Sequence, residues 1–158
     1  MRNYLALMLL SMTTCIIAPS VASAGEQTLE FKLVTAPVDV KVVQAANIEG
    51  QTISAGQYFG VAYFKDGRIA IKNFISAADT LNGSGPIRGY STYTFDDGSS
   101  ITASYTGEIK AGVRSGTYTI VSGTGAFAQA SGTGTFDGVA SPFKGAYLYN
   151  GKFVVKTP

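Results

Sequence analysis

The chain has 158 residues, 14% of them charged and 46% hydrophobic, with a formal net charge of +2, no histidine and a single cysteine. The lack of histidine excludes Ser-His-Asp chemistry, imidazole general bases and His-ligated zinc. Lysine and arginine are scattered instead of clustered, which argues against a nucleic-acid surface. The charged fraction is well below the roughly 25% of ordinary soluble domains, so more of the surface is neutral or apolar, as suits ligand or subunit contacts.

Residues 1–24 have the pattern of a cleavable signal peptide: Arg2, an apolar stretch from Tyr4 to Met12 that weakens through Ile17, and Ala22-Ser23-Ala24 at the end. A membrane anchor would need about 20 predominantly apolar residues, and Ser11, Thr13, Thr14, Pro19 and Ser20 interrupt the run. Met12-Thr13-Thr14 is a poor lead into a lipoprotein cysteine at Cys15. Export to the periplasm or outside the cell is therefore expected, with the mature chain starting at or near Gly25 and no membrane span after cleavage. Cleavage also removes Cys15, so residues 25–158, a single domain, would hold neither disulfide nor thiol.

Nineteen glycines punctuate short runs of Tyr, Phe, Val, Ile and Thr, the composition of strands and tight turns. Strands are expected near 28–35, 38–44, 57–65, 68–77, 87–96, 99–109, 115–122, 132–137, 143–149 and 152–157. Some should merge, leaving eight to ten. Without helices between them they suggest an all-β, antiparallel up-and-down β-barrel of about eight strands, closed so that no edge is exposed.

Asp66-Gly67, Asp97-Gly98 and Asn150-Gly151 read as two-residue type I′ turns. The first places Phe64, Ala62, Tyr58, Ile69, Ile71, Ile75 and Asn73 on one face, and Tyr63, Phe59, Lys72 and Phe74 on the other. The second groups Arg88, Tyr90, Thr92, Thr94, Ile101, Ala103 and Tyr105 against Phe95, Tyr93, Ser100, Thr102, Ser104 and Glu108. The third pairs Leu148 with Phe153 and Ala146 with Val155 on a buried face, leaving Tyr149 and Lys152 on the other. The more apolar face should point inward, and a one-residue error in a turn would reverse it. Apolar residues on both faces, such as Phe59 and Phe74 opposite Phe64 and Ile71, suggest a packed subunit face and hence a homo-oligomer.

The stretch from Gly116 to Phe136 contains Ser122-Gly123-Thr124-Gly125-Ala126-Phe127 and Gly132-Thr133-Gly134-Thr135-Phe136. It lacks the following helix and the lysine of a phosphate-binding loop. It reads instead as strand, glycine-rich turn, one helical turn through Ala126–Gln129 and a return strand. In this order of elements the chain resembles the allene oxide cyclase-like and dirigent barrels, best from about 85 to 157, with Ser122 where those families carry a glycine. The resemblance implies an eight-stranded barrel with an apolar cavity and, commonly, trimers. It carries no catalytic residue across. Glu26 and Glu30 match no cyclase motif. Asp79, Arg88, Tyr90 and Tyr105 are of the types that dirigent proteins use, without a demonstrable correspondence.

The candidate ligand-binding residues, taken from the turn-derived faces, are Asn73, Arg88, Tyr58, Tyr90 and Tyr105, a few polar groups in an apolar cavity. The competing reading is that the tyrosines only fill the barrel, Arg88 reaches the rim and Asn73 satisfies a bulge. Glu108 with Lys110 reads as a solvated ion pair. No metal or cofactor is expected. Three functions remain open: a carrier of a small apolar or aromatic molecule, a cofactor-free cyclase or isomerase that steers a reactive substrate, and a structural protein with a filled barrel.

Overall fold

The computed structural model describes residues 25–158. The expected signal peptide and Cys15 lie outside the described residues. The elements are β1 (Gly25–Gln44), β2 (Gln51–Phe64), β3 (Ile69–Leu81), β4 (Gly85–Phe95), β5 (Ser100–Lys110), β6 (Val113–Thr124), a single 3-10 turn at Gly125–Phe127, β7 (Ser131–Val139) and β8 (Tyr147–Thr157). Each strand pairs antiparallel with the next, and β8 returns to β1, so the sheet closes into an eight-stranded barrel.

The ten expected segments become eight by two mergers. Segments 28–35 and 38–44 form one strand that bulges at Val38, where the register on β2 shifts between Pro37 and Asp39. Segments 143–149 and 152–157 join because Asn150-Gly151 is not a turn. Asn150 and Gly151 lie inside β8, opposite Lys32 and Phe31 of β1, and residues 140–146 make the connection from β7. Tyr149, expected on the outer face, therefore shares the barrel interior with Phe153 and Val155.

The other two turns are where expected but of a different type. Gly67 N–H donates to the Phe64 carbonyl at 3.1 Å and Phe64 N–H to the Arg68 carbonyl at 2.9 Å. Gly98 repeats this with Phe95, and Phe95 with Ser99. This is the three-residue loop, a type I turn closed by a glycine in the left-handed region, with φ of 91° at Gly67 and 80° at Gly98. Asp66 and Asp97 keep negative φ, and each uses Oδ1 to accept the backbone N–H two residues on, at 3.1 Å from Arg68 and 2.8 Å from Ser99. The extra loop residue moves the register by one, to Tyr63 opposite Ile69 and Thr94 opposite Ser100.

That slip reverses one strand of each hairpin. On β3, Ala70, Lys72 and Phe74 point inward while Ile71, Asn73 and Ile75 point out. On β4, Ile87, Ser91, Tyr93 and Phe95 point inward, and Arg88 and Tyr90 are exposed. The expected inward placement of Asn73, Arg88 and Tyr90 is thus corrected, and so is the outward placement of Lys72 and Phe74.

One end of the barrel is plugged by aromatic rings. Phe31 packs on Phe64 at 5.2 Å, Phe64 on Phe95 at 5.1 Å and Phe95 on Phe127 at 5.0 Å. Such pairs each contribute about 0.5–1.5 kcal/mol beyond the area they bury. The Ser122–Phe127 motif is part of this plug, for its 3-10 turn inserts Phe127 at 1% exposure. Arg68 closes the end from outside, its guanidinium 5.3 Å from the Phe95 ring centre and 2.6 Å from Asp66 Oδ2. Further up, aromatic rings lie over glycines on neighbouring strands: Phe31 over Gly151, Tyr105 over Gly89, Phe136 over Gly116 and Phe153 over Gly134. The small residue makes room on the inner face for the ring opposite, so a narrow barrel holds many rings.

A candidate ligand site at the open end

Above the aromatic plug stands a buried amine. Lys72 is 4% exposed, with Nζ donating to the Tyr118 hydroxyl at 2.9 Å. Tyr93 donates to the same oxygen at 3.0 Å. Aromatic rings surround the amine, with the centre of Phe74 at 4.2 Å, Tyr93 at 5.1 Å and Tyr105 at 5.8 Å, while Tyr118 presents its hydroxyl edge. No carboxylate lies within ion-pair distance of it among the described residues.

Burial without a counter-charge pulls the Lys72 amine down to about 7. The ring faces act the other way, since a desolvated cation over an aromatic face is favoured by about 2 kcal/mol or more. Desolvation of a fully buried cation is worth several kcal/mol and outweighs them. The neighbouring phenols shift upward for the same reason: burial raises Tyr93, Tyr105 and Tyr118 and pushes Tyr149 up to about 12. All four remain neutral hydrogen-bonding groups at any physiological pH.

Lys72 faces an enclosed cavity of about 30 Å³ that is also lined by Tyr118, Tyr105, Phe136 and Tyr149. That volume holds one or two waters. The cavity shares Tyr58, Ser76, Ile87, Arg114 and Tyr147 with a hollow of about 380 Å³ at the barrel mouth. Tyr58 stacks on Phe74 at 4.8 Å, and burial raises its phenol. The Arg114 guanidinium lies 4.0 Å from the centre of the Tyr147 ring and has no ion-pair partner among the described residues. Across the β5–β6 hairpin Arg114 lies opposite Ile109, and the nearby Glu108, opposite Ser115 on the outer face, pairs with Lys110 at 2.5 Å on the surface. The mouth is edged by the hydroxyl side chains of Thr52, Ser54, Ser76 and Thr80 beside Tyr58, Ile87 and Tyr147, and aromatic walls close in at the cavity below; together they hold the Arg114 guanidinium and the Lys72 amine and present no carboxylate.

Of the five residues named from the sequence, Tyr58 and Tyr105 line this cavity. The Tyr105 hydroxyl is tied to the Ile75 carbonyl at 3.1 Å. Asn73, Arg88 and Tyr90 lie on the outside wall. Arg88 and Tyr90 flank a groove of about 860 Å³ beneath the projecting β1–β2 hairpin. Although larger, that groove is an open one on the outer wall, and the buried polar side chain that reaches it, Tyr105, already has its hydroxyl tied to the Ile75 carbonyl. Sequence reasoning missed Lys72, Arg114, Tyr118, Tyr147 and Tyr149. A three-residue reading of the two Asp-Gly loops would have turned Lys72 inward beside Tyr58.

No protein-family profile matches the chain, and no curated protein matches it. Solved structures do. The pterocarpan synthase dirigent protein GePTS1 superposes with a TM-score of 0.58 at 19% identity, covering 97% of this chain and all of the other. The pterocarpan synthase dirigent protein PsPTS1 gives 0.57 at 18% identity over 84% and 95% of the two chains. A DUF3224-family protein of unknown function from Shewanella oneidensis MR-1 follows at 0.46 and 17%, over 86% and 99%. The barrel is dirigent-like in fold, as the resemblance implied.

Proposed function

We propose that this barrel is an exported protein, periplasmic or secreted, that binds a small apolar or aromatic molecule end-on at its mouth. The observation that carries this reading is the hollow of about 380 Å³ over Tyr58, Tyr147 and Arg114, which narrows to the small cavity at Lys72. Its volume falls in the range of small-molecule sites, about 300–1,000 Å³, and its hydroxyl rim of Thr52, Ser54 and Thr80 leads down to the aromatic side chains of Tyr58 and Tyr147. The plugged lower half argues against a ligand deep in the barrel and places the site at the open end. The unpaired Arg114 guanidinium, with the Lys72 amine behind it, favours a ligand with an oxygen-rich or anionic head.

The same geometry supports a second reading, a cofactor-free cyclase or isomerase. Arg114, the Lys72 amine and the Tyr118 hydroxyl converge where an oxygen of a bound molecule would lie, and donors fixed in advance stabilise an oxyanion as it develops. Homo-oligomerisation remains part of the proposal, with Phe59, Ile71, Ile75 and Tyr90, all exposed on the outer wall of β2–β4, as the subunit face.

The chain has no tryptophan, so the tyrosine emission to which Tyr58 and Tyr147 of the mouth contribute is not masked, and the part lost in Tyr147→Ala reports on the mouth. Saturable quenching by small aryl carboxylates, lost in Tyr147→Ala, is the expected result. Heats and emission unchanged across a panel of aryl acids, alcohols and phenols would overturn the binding reading. Native mass spectrometry of the same sample reads subunit number and any retained ligand.

A further inference from the structure

Resting on that mouth site, we infer that Lys72 is a reactive amine that forms a reversible imine with the carbonyl end of a small aldehyde or ketone. Three features of geometry carry this. The amine faces a cavity, whereas a lysine buried only for packing would be walled in. The cavity, about 30 Å³, has the size of a formyl group, while the adjoining hollow of about 380 Å³ takes the rest of the molecule. The third feature is Tyr118, whose oxygen accepts from both Lys72 and Tyr93. Its own proton has no protein acceptor among the described hydrogen bonds and is free for an oxygen in the cavity.

The step balances without an oxidant or reductant. The nitrogen lone pair attacks the carbonyl carbon, and the carbonyl oxygen takes the Tyr118 proton. The phenol regains a proton from the ammonium nitrogen, leaving a neutral carbinolamine. The remaining N–H proton and the C–O bonding pair then depart as water while the nitrogen lone pair forms C=N. Water leaves by the mouth, and its return reverses the reaction. Desolvation in an apolar pocket is one of the established ways of activating a lysine nucleophile.

The groups facing the amine are Tyr93 from β4, Tyr105 from β5, Tyr118 and Arg114 from β6, Tyr149 from β8 and Tyr58 from β2. The tyrosines stay neutral, and the arginine adds positive charge, so none of them holds Lys72 protonated. With the amine at about 7, half of it is neutral at that pH. The neutral fraction of an exposed lysine at pH 7 is about a thousandfold smaller.

The test is reductive trapping of the protein with 3-phenylpropanal and cyanoborohydride, followed by intact mass and peptide mapping. Binding of the unreactive 3-phenylpropanol is measured in parallel by tyrosine emission. The inference expects a single early adduct on Lys72, at least tenfold faster than on the exposed Lys32 at pH 7. Its rate should level off above about pH 7, while that of Lys32 keeps rising. Lys72→Met should abolish that adduct, while Lys32→Met, at an exposed position away from the mouth, should leave both the adduct and the alcohol binding unchanged. Alcohol binding with adducts on exposed lysines alone would overturn the imine and leave the mouth site standing. Loss of both would overturn the site as well.

Discussion

The ring of Phe31 lies across Gly151: a Cβ at position 151 would stand 2.4 Å from Phe31 Cζ, closer than any side chain tolerates. The pair joins the first and last strands at the seam that closes the barrel. Gly151 is therefore required for a close approach and not for a turn. Replacement by valine must displace Phe31 from its packing with Phe64, Tyr93 and Phe153. Gly151→Val should lose about 3 kcal/mol or more, the cost of disrupting a large core aromatic. Asn150→Thr, at an exposed strand position, should stay within about 0.5 kcal/mol. Urea midpoints decide. A costly Asn150→Thr with a tolerated Gly151→Val would restore the turn.

The same residue shows what the sequence could and could not tell. Alternation of aromatic and polar residues and the rhythm of glycines made the all-β barrel legible, because strand period and turn composition are local. The role of Gly151 is not local, for the ring that needs it is contributed by Phe31, far away in sequence. The site failed on one loop residue. Asp66-Gly67 fits a two-residue and a three-residue loop equally well, and the choice between them decides whether Asn73 or Lys72 looks into the barrel. Tyr58 and Tyr105 survived because each lies on the strand of its hairpin that the slip left in place.

Lys72 gives the barrel a pH signature. Its folded value, about 7, lies below its unfolded value of about 10.4, so between these the unfolded chain binds more protons. Stability then rises with pH across that window, by up to about 1.4 kcal/mol per pH unit, and the gain is complete near pH 10. Above pH 10 the sign reverses, because buried Tyr93, Tyr105, Tyr118 and Tyr149 resist the ionisation open to unfolded phenols. The chain has no histidine to add a transition of its own near neutrality. Urea unfolding from pH 6 to 11 should show a maximum near 10. Lys72→Met should flatten the rise and keep the alkaline fall. Equal pH slopes for the two proteins would refute the assignment.

Tyr118→Phe tests the polar cluster without opening a large void. It removes one oxygen and leaves both the Lys72 amine and the Tyr93 hydroxyl without their partner. Each buried group left unsatisfied costs about 1–3 kcal/mol. Thermal or urea unfolding should therefore find Tyr118→Phe clearly destabilised, and Tyr118→Phe with Lys72→Met less so than the sum of the two changes. Strict additivity would mean that the amine and the phenol do not share energy.

Affinity should separate the mouth from the outer wall. Arg114 lines the mouth and cavity beside Tyr58 and Tyr147, whereas Asn73 and Arg88 are exposed outside the barrel. Arg114→Met should weaken an aryl carboxylate by about 1–3 kcal/mol, the worth of a hydrogen bond to a charged group, and should affect the corresponding alcohol much less. The weakening should also be partly screened by salt, since the mouth is open to solvent. Asn73→Ala and Arg88→Ala should leave both ligands within about 0.5 kcal/mol. Calorimetric titration of the four proteins with the acid and the alcohol reads all of these at once. Wild-type affinity in Arg114→Met together with a loss in Arg88→Ala would move the site to the outer groove under the β1–β2 hairpin, where Arg88 and Tyr90 meet.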